Sequence, residues 1–293
     1  MPPSIHASAF AELAPLRAVA TSGRSIRSAR AAILRRPAGR IGLAIVVAIL
    51  AIAVVGPMMA PHDPFIITGG SLIPPSAAHP MGTDALGRDL FSAMLHGART
   101  SVAVATAVSA IALACGLLIG MVAGYSGGWR DDTLMRGTEL FQVIPRFFFA
   151  VVVIAFFGPG LDRLVLTLGL TSWPILARIA RSEVIAIRDL DFIRAAEALG
   201  ASPAHVIRRQ LLPNVLPVLL VATGLLFGQV LLLEATLGFL GLGDPSAISW
   251  GTLAAQAQGF LRVAWWLALF PGLAITLAVV GVNLLADAAD SVA

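Results

Sequence analysis

Long apolar runs alternate with short polar segments along this chain, and each run has about the length that crosses a lipid bilayer. A helix needs roughly 20 mostly apolar residues to cross about 30 Å of hydrocarbon. The pattern therefore predicts an all-α fold, a polytopic membrane protein with six transmembrane helices. The predicted spans are residues 41–60, 100–124, 138–157, 161–180, 211–237 and 265–286.

The polar segments between these runs predict how the chain is organised. A cytoplasmic N-terminal segment (1–40) leads into the first transmembrane helix (41–60), and an extracytoplasmic loop (61–98) rich in proline and glycine follows. Residues 99–293 then form a core of five helices, which contains a polar loop at 181–213. Proline and glycine mark the extracytoplasmic loop because both residues interrupt regular structure.

The composition agrees with a membrane protein and excludes one class of enzyme. Hydrophobic residues make up 58% of the 293 residues and charged residues 12%, about half the charge of a typical soluble domain. All 20 basic residues are arginine. A P-loop places a lysine on the nucleotide phosphates, so this chain is not expected to hydrolyse ATP through such a loop. The single cysteine, Cys115, excludes an internal disulfide and a cysteine zinc site.

The arginines are distributed unevenly between the two sides of the predicted membrane. Fifteen fall in segments predicted to lie inside and four in segments predicted to lie outside. Cytoplasmic loops of membrane proteins carry an excess of basic residues. Both termini are therefore predicted to be cytoplasmic.

Three glycines recur every four residues along the second predicted span: Gly116, Gly120 and Gly124. Small residues at this spacing form one stripe of a helix and let a neighbouring helix approach closely. We therefore expect a helix to pack tightly on this stripe.

An arginine-rich polar island covers residues 178–210, between long apolar segments. Local rules predict two short helices in it. The first covers 192–199 and ends at Gly200, which suits the left-handed residue after a helix. Ser202 is a good N-cap and Pro203 suits a first helical turn, so a second helix should cover 204–212 and stop at Pro213. The island is either a docking surface for a soluble partner or an amphipathic segment that lies on lipid headgroups.

The helix-glycine-helix segment also resembles a known loop. The pattern Ala195-Ala196-x-x-x-Gly200, followed by Leu212-Pro213, is similar to the EAA loop of membrane subunits of ATP-binding-cassette (ABC) importers. In that family the loop forms a coupling helix that sits in a groove of a separate ATPase subunit. Arg194 stands where the family name implies glutamate.

Other motifs narrow the resemblance to the dipeptide, oligopeptide and nickel branch of this family, and most of all to its C-type dipeptide permease. They cover much of residues 30–290. The matching motifs are HPMGTDxxGRDxxS (79–92), GxRxS (97–101), LGFLGLG (237–243), SWG (249–251), FPG (270–272) and NLLxD (283–287).

The resemblance implies a non-catalytic permease subunit with the type I ABC importer fold. It would pair with a homologous permease as half of the path for dipeptides or short peptides. Two cytoplasmic ATPase subunits would use ATP and Mg, and an extracytoplasmic binding protein would deliver substrate. The expected location is the bacterial inner membrane, in contact with lipid and not nucleic acid. We expect no catalytic residue, cofactor or metal in this chain. The implied coupling residues are Arg194, Ala195, Ala196, Glu197, Gly200, Ser202, Pro203, Leu212 and Pro213.

Two other functions remain open at this point. One is a secondary transporter driven by ion gradients, although we find no convincing repeat and few charges in the spans. The other is an intramembrane serine hydrolase, because the residues Gly-Tyr-Ser-Gly-Gly at 124–128 match a nucleophile pattern around Ser126. That enzyme needs a base, usually histidine, and no histidine lies within a predicted span.

Several single residues have two interpretations each. Glu234, within the fifth span, is a pathway carboxylate or a structural group, and we favour the structural role. Arg146 lines the path or extends toward the cytoplasmic edge, and we favour the latter. Trp250, Trp265 and Trp266 are interpreted as an aromatic belt at the outer boundary, with a substrate contact as the alternative for Trp250.

Overall fold

The computed structural model describes Leu34 and residues 36–290, and these residues form helices joined by loops, with no strand among them. A π turn covers Ile207–Leu211, and a 3-10 turn covers Ala257–Gly259. The helices are α1 Pro37–Met59, α2 Leu90–Ser126, α3 Gly128–Val143, α4 Arg146–Phe157, α5 Leu161–Arg188, α6 Asp191–Ala198, α7 Pro203–Val206, α8 Leu212–Phe239, α9 Trp250–Gln256 and α10 Trp266–Asp290.

Five helical units in the described residues are long and apolar enough to cross a membrane. They are α1, α2, α5, α10 and the unit Pro203–Phe239, which joins α7, the π turn and α8. A sixth crossing results if α3 and α4, which are bent by 70° relative to each other, count as one broken span. The predicted all-α fold with multiple spans is therefore confirmed. Most of the predicted segment 1–40 lies outside the described residues.

The first loop is shorter than the predicted segment 61–98, because α2 begins at Leu90. Asp89 caps this helix: its carboxylate accepts hydrogen bonds from the Ser92 backbone N–H at 2.8 Å and the Ser92 hydroxyl at 2.6 Å. A capped N-terminus starts a helix even where the following residues are polar. Nine residues of the predicted loop, 90–98, are therefore helical.

The third predicted span is not a single helix. The segment 125–137, interpreted as a turn, is mostly the start of α3, and the span 138–157 is divided at Ile144 and Pro145. Proline has no backbone N–H to donate and its ring clashes with the carbonyl four residues earlier, so a helix bends or breaks there. Helix α4 has 12 residues and is about 18 Å long, too short to cross the hydrocarbon alone.

Two other helix ends differ from the prediction in the polar island. Helix α5 does not end near residue 180 but continues to Arg188, so the first part of the predicted loop 181–213 is helical. Pro213 does not stop the helix after Gly200 either. The π turn before it, in which the Leu212 N–H donates to the Ile207 carbonyl, widens the helix one turn ahead of the proline. Such a bulge lets the chain pass through a proline with a local adjustment.

The glycine stripe of α2 packs directly against α5, as its spacing predicted. A Cβ placed on Gly116 would lie 2.6 Å from the Cβ of Leu176, and one on Gly124 would lie 2.8 Å from the Cβ of Val184. At Gly120 the added atom would collide with the Ala177 carbonyl. Only glycine permits this approach at the three positions. We call this contact the α2–α5 seam.

Substituting Gly120 by valine should open the seam and destabilise the protein. The new side chain meets backbone that cannot move away, and overpacking of this kind costs about 1–3 kcal/mol. We expect Gly120→Val to lower the Tm of the chain in detergent by at least about 3 °C.

Gly137→Val is the matched control for this substitution. Gly137 is also helical, but a Cβ there meets nothing within 4 Å. Equal Tm values for the two variants would contradict the proposed role of the seam.

Candidate functional site

The helix-glycine-helix segment predicted from the sequence is present, and backbone hydrogen bonds fix its corner. Helix α6 ends at Ala198, and Gly200 follows with a φ of +86°. The Ala201 N–H donates to the Ala196 carbonyl at 3.0 Å, and the Gly200 N–H donates to the Glu197 carbonyl at 2.9 Å. These two bonds define a Schellman motif, which needs a left-handed residue at the position of Gly200.

The second part of the corner is capped as predicted. The Ser202 hydroxyl accepts a hydrogen bond from the His205 N–H at 3.4 Å, and Pro203 begins α7. Beyond α7 the chain runs through the π turn into α8 without a further corner. The corner is therefore connected to a membrane helix without an intervening loop.

Two contacts hold the corner against the rest of the protein. The Tyr125 hydroxyl, in the last turn of α2, donates to the Glu197 carboxylate at 2.8 Å. Ile193 of α6 and Val206 of α7 are fully buried in the core. The corner is thus attached at the end of the α2–α5 seam, where Gly124 meets Val184.

Three arginines of the predicted island, those on α5, have structural partners. Arg181 forms a bidentate ion pair with Asp131, at 2.5 and 2.7 Å, which ties α5 to α3. Arg188 donates to the Gly124 carbonyl at 2.6 Å, and Arg178 donates to Gln142 at 3.2 Å. The polar island is therefore not one docking surface, because its first third holds membrane helices together.

The surface of the corner combines apolar and basic side chains. Leu199 is 89% exposed, a large fraction for a leucine beside a helix end, and Phe192 is 43% exposed. Exposed apolar side chains next to charged ones are typical of surfaces that bind another protein. The exposed polar side chains around them are Arg194, Glu197, Ser202, His205, Arg208 and Arg209.

The structure brings together most of the predicted coupling residues. Those from Arg194 to Pro203 surround the corner, whereas Leu212 and Pro213 lie beyond the π turn in the first turn of α8. The sequence interpretation missed Leu199 and Tyr125. The available signals were a leucine directly before the helix-ending glycine and the only tyrosine of the chain.

A cavity of about 820 Å³, lined by polar and apolar side chains, lies at the break between α3 and α4, where they face α5. Arg146 begins α4 and donates to the Ser172 hydroxyl at 3.4 Å. It has no carboxylate within ion-pair distance among the described residues. Arg178 and Glu183 also line the cavity. Arg146 therefore faces a pocket that it shares with α5.

Glu234 has a structural environment, in agreement with the favoured interpretation. It is 3% exposed and accepts a hydrogen bond from Ser101 of α2 at 3.0 Å. Ser101 in turn accepts a bond from the Trp250 backbone N–H at 3.1 Å. The carboxylate thus joins α8, α2 and α9.

The aromatic-belt interpretation is wrong for two of the three tryptophans. Trp250 and Trp266 are each 3% exposed, and their indole N–H groups donate to the carbonyls of Met94 and Thr83. A buried tryptophan normally finds such a partner. Trp265, at 53% exposed, is compatible with a boundary position.

Two protein families match the chain. The family described as "Binding-protein-dependent transport system inner membrane component" matches residues 116–292, and "N-terminal TM domain of oligopeptide transport permease C" matches residues 26–75. The first match covers more than half of the chain. This chain therefore belongs to the family of inner membrane components of binding-protein-dependent transport systems.

Named relatives agree with this family. The probable D,D-dipeptide transport system permease protein DdpC of Escherichia coli (strain K12) is 39% identical over 246 residues, 83% of this chain and 82% of DdpC. The dipeptide transport system permease protein DppC of Alkalihalophilus pseudofirmus is 36% identical over 250 residues, 84% of this chain and 82% of the relative. The di/tripeptide transport system permease protein DppC of Pseudomonas aeruginosa is 35% identical over 254 residues, 84% of each chain.

A solved structure shares the fold. It is an inward-facing conformation of the MetNI methionine ABC transporter, with a TM-score of 0.55 and 22% identity, covering 67% of this chain and 92% of that chain. Together with the family match, the predicted resemblance is confirmed: the chain is a permease, the non-catalytic membrane subunit of an ABC transporter. The gradient-driven transporter and the serine hydrolase are not favoured.

Removing the Tyr125 hydroxyl should loosen the corner. The hydrogen bond to Glu197 ties α6 to α2, and loss of a bond worth about 1 kcal/mol should speed local opening about fivefold. We expect Tyr125→Phe to show faster amide hydrogen exchange in residues 191–198, measured by mass spectrometry.

Glu197→Gln is the control, because its amide oxygen can still accept the hydrogen bond from the Tyr125 hydroxyl. If Tyr125→Phe exchanges at the wild-type rate, the bond does not hold the corner.

Proposed function

We propose that this chain forms half of the translocation path of an ATP-driven importer of dipeptides or short peptides. The second half is a homologous permease, two cytoplasmic ATPase subunits supply the motion, and an extracytoplasmic binding protein delivers the peptide. ATP and Mg bind to the ATPase subunits. Both termini lie in the cytoplasm of a bacterial cell, and the chain resides in its inner membrane.

The observation that carries the coupling role is the exposed corner at residues 191–203. It has a fixed backbone, an exposed leucine at its tip and direct connection to the membrane helices α5 and α8. A rigid element of this kind can transmit displacement, whereas a mobile loop would absorb it. The family membership supports an ATPase as the partner, since this chain has no lysine for a P-loop.

The peptide substrate is supported by the names of the relatives, which transport dipeptides, D,D-dipeptides or di- and tripeptides. It is also compatible with the cavity at the break between α3 and α4. A peptide carries a carboxylate, and Arg146 places a guanidinium without a carboxylate partner in that cavity. We propose that the cavity forms this chain's part of the path.

Changing Gly200 tests the coupling role. Its φ of +86° strains any β-branched residue, while a Cβ would meet nothing within 4 Å, so the effect comes from the backbone alone. We expect Gly200→Val to abolish most ATP-dependent peptide uptake in proteoliposomes that contain both permeases and the ATPases.

Gly200→Asn is the matched variant, since asparagine tolerates the left-handed conformation, and it should keep most of the uptake. The proposal is rejected if Gly200→Val inserts in the membrane and transports at the wild-type rate, or if the wild-type assembly transports without ATP.

Changing Arg146 tests the cavity. Loss of a hydrogen bond to a charged group in a partly dry site costs about 1.5–3 kcal/mol, which is about 10- to 150-fold. Arg146→Ala should therefore reduce the uptake of a dipeptide with a free carboxylate at least tenfold. The C-terminal amide of the same peptide should be affected less.

Arg163→Ala is the control, because Arg163 donates only to the carbonyls of Gly158 and Pro159 in the turn before α5. Equal losses for both peptides, or for both variants, would refute a carboxylate contact at Arg146.

A further inference from the structure

Three side chains with metal-binding atoms meet where the first loop joins α2. His62 lies just beyond the end of α1, His79 lies in the middle of the loop, and Asp89 caps α2. One donor atom from each lies within 4.8 Å of the other two. The fold thus gathers residues that are up to 27 positions apart.

Two of the three side chains are buried. Asp89 is fully buried and His79 is 8% exposed, whereas 36% of the His62 side chain is exposed. The Nδ1 atom of His79 lies 3.0 Å from Oδ1 of Asp89, and the Nδ1 atom of His62 lies 3.8 Å from Oδ2. The two imidazole rings are 5.8 Å apart. Both rings therefore direct the same nitrogen toward one carboxylate.

The hydrogen bonds of the protein leave one of these atoms unexplained. The Nδ1 atom of His62 is buried and has no hydrogen-bond partner. Its distance of 3.8 Å from Asp89 is too long for a hydrogen bond. The backbone N–H of His62 donates to the Ser92 hydroxyl at 3.2 Å, so the residue is held in this place. Buried polar atoms normally have a partner, and leaving one without costs free energy.

A bound cation would account for these distances. Zinc binds histidine nitrogen and carboxylate oxygen at about 2.0–2.2 Å, so neighbouring donor atoms in a tetrahedral site lie about 3.3–3.5 Å apart. The separation of 3.0 Å between Nδ1 of His79 and Oδ1 of Asp89 is close to that range, and one donor atom from each of the three residues lies within 4.8 Å of the other two.

The orientation of the Asp89 carboxylate is fixed by hydrogen bonds. Ser92 occupies Oδ2 with two hydrogen bonds and so fixes the orientation of the carboxylate, as outer partners of metal ligands do.

We propose that His62, His79 and Asp89 form a zinc site that fastens the first loop to the start of α2. Two imidazoles and one carboxylate supply three ligands, and water completes the four-coordinate sphere. On binding, the Nδ1 proton of His79 passes to solvent and the neutral ring carries its one proton on Nε2, so that the Nδ1 lone pair and the Asp89 carboxylate both face the ion. The ion closes a long loop, which is the situation in which a metal clip stabilises most.

The test uses the full-length, untagged chain in detergent micelles, freed of metal by a chelator and then dialysed against micromolar zinc chloride. We expect one zinc ion per chain by mass spectrometry of the metal. Zinc should also raise the Tm by several degrees, because a ligand that binds only the folded state stabilises it.

His62→Ala is the informative variant, since the His62 side chain forms no hydrogen bond and the bonds of Asp89 to His79 and Ser92 remain. Its Tm without zinc should equal that of the wild type. Its zinc affinity should fall at least about tenfold, and the zinc-dependent rise in Tm should disappear. His79→Ala should lose zinc in the same way.

His96→Ala is the control, because His96 lies on α2 outside the cluster, and it should bind zinc normally. The proposal is overturned if the wild type retains no zinc after dialysis, or if His62→Ala binds zinc with wild-type stoichiometry and affinity. Neither result would bear on the transport function, because peptide uptake is not the readout.

Discussion

The close contact between α2 and α5 is the interaction on which the other features depend. In a bilayer, apolar side chains gain little by leaving lipid for protein, so helices associate through tight packing and polar contacts. Three glycines let the backbones approach, and the bond from Arg188 to the Gly124 carbonyl secures the end of the pair nearest the corner, where Arg181 also ties α5 to Asp131 of α3. The exposed corner is built directly on that end. Its position is therefore set by the packing of helices within the membrane.

The α3–α4 unit differs from the closely packed α2–α5 pair. Whereas α2 and α5 are pressed together, the break at Pro145 leaves space, and polar as well as apolar side chains line this space. A protein that carries a polar solute through lipid needs both properties: helices that keep their spacing and a region where polar groups are accessible. In this chain α5 serves both, since one face packs on the glycines and another borders the cavity.

Features that depend on neighbouring residues could be predicted from the sequence, whereas features that depend on residues far apart in the chain could not. The spans, the left-handed Gly200 and the Ser202 cap depend on neighbouring residues, and they could be predicted. The start of α2 was misplaced because polar residues such as Ser92 are buried in a helix there. The burial of Trp250 could not be foreseen, because its partner Met94 is 156 positions away. The passage of α8 through Pro213 depends on a π turn for which no simple sequence rule exists.

That π turn has a mechanical consequence. From Pro203 to Phe239 the chain is one rod of 37 residues, about 55 Å long, which starts at the exposed corner and passes Glu234 near its far end. A rod bends most easily where its regular hydrogen bonding is interrupted. Here the π turn, Pro213 and Pro217 all lie in the half nearer the corner. The far end is anchored at Glu234 to α2 and α9. A push on the corner should therefore swing the near end about this distant anchor, so that the widest movement occurs on the side of the corner.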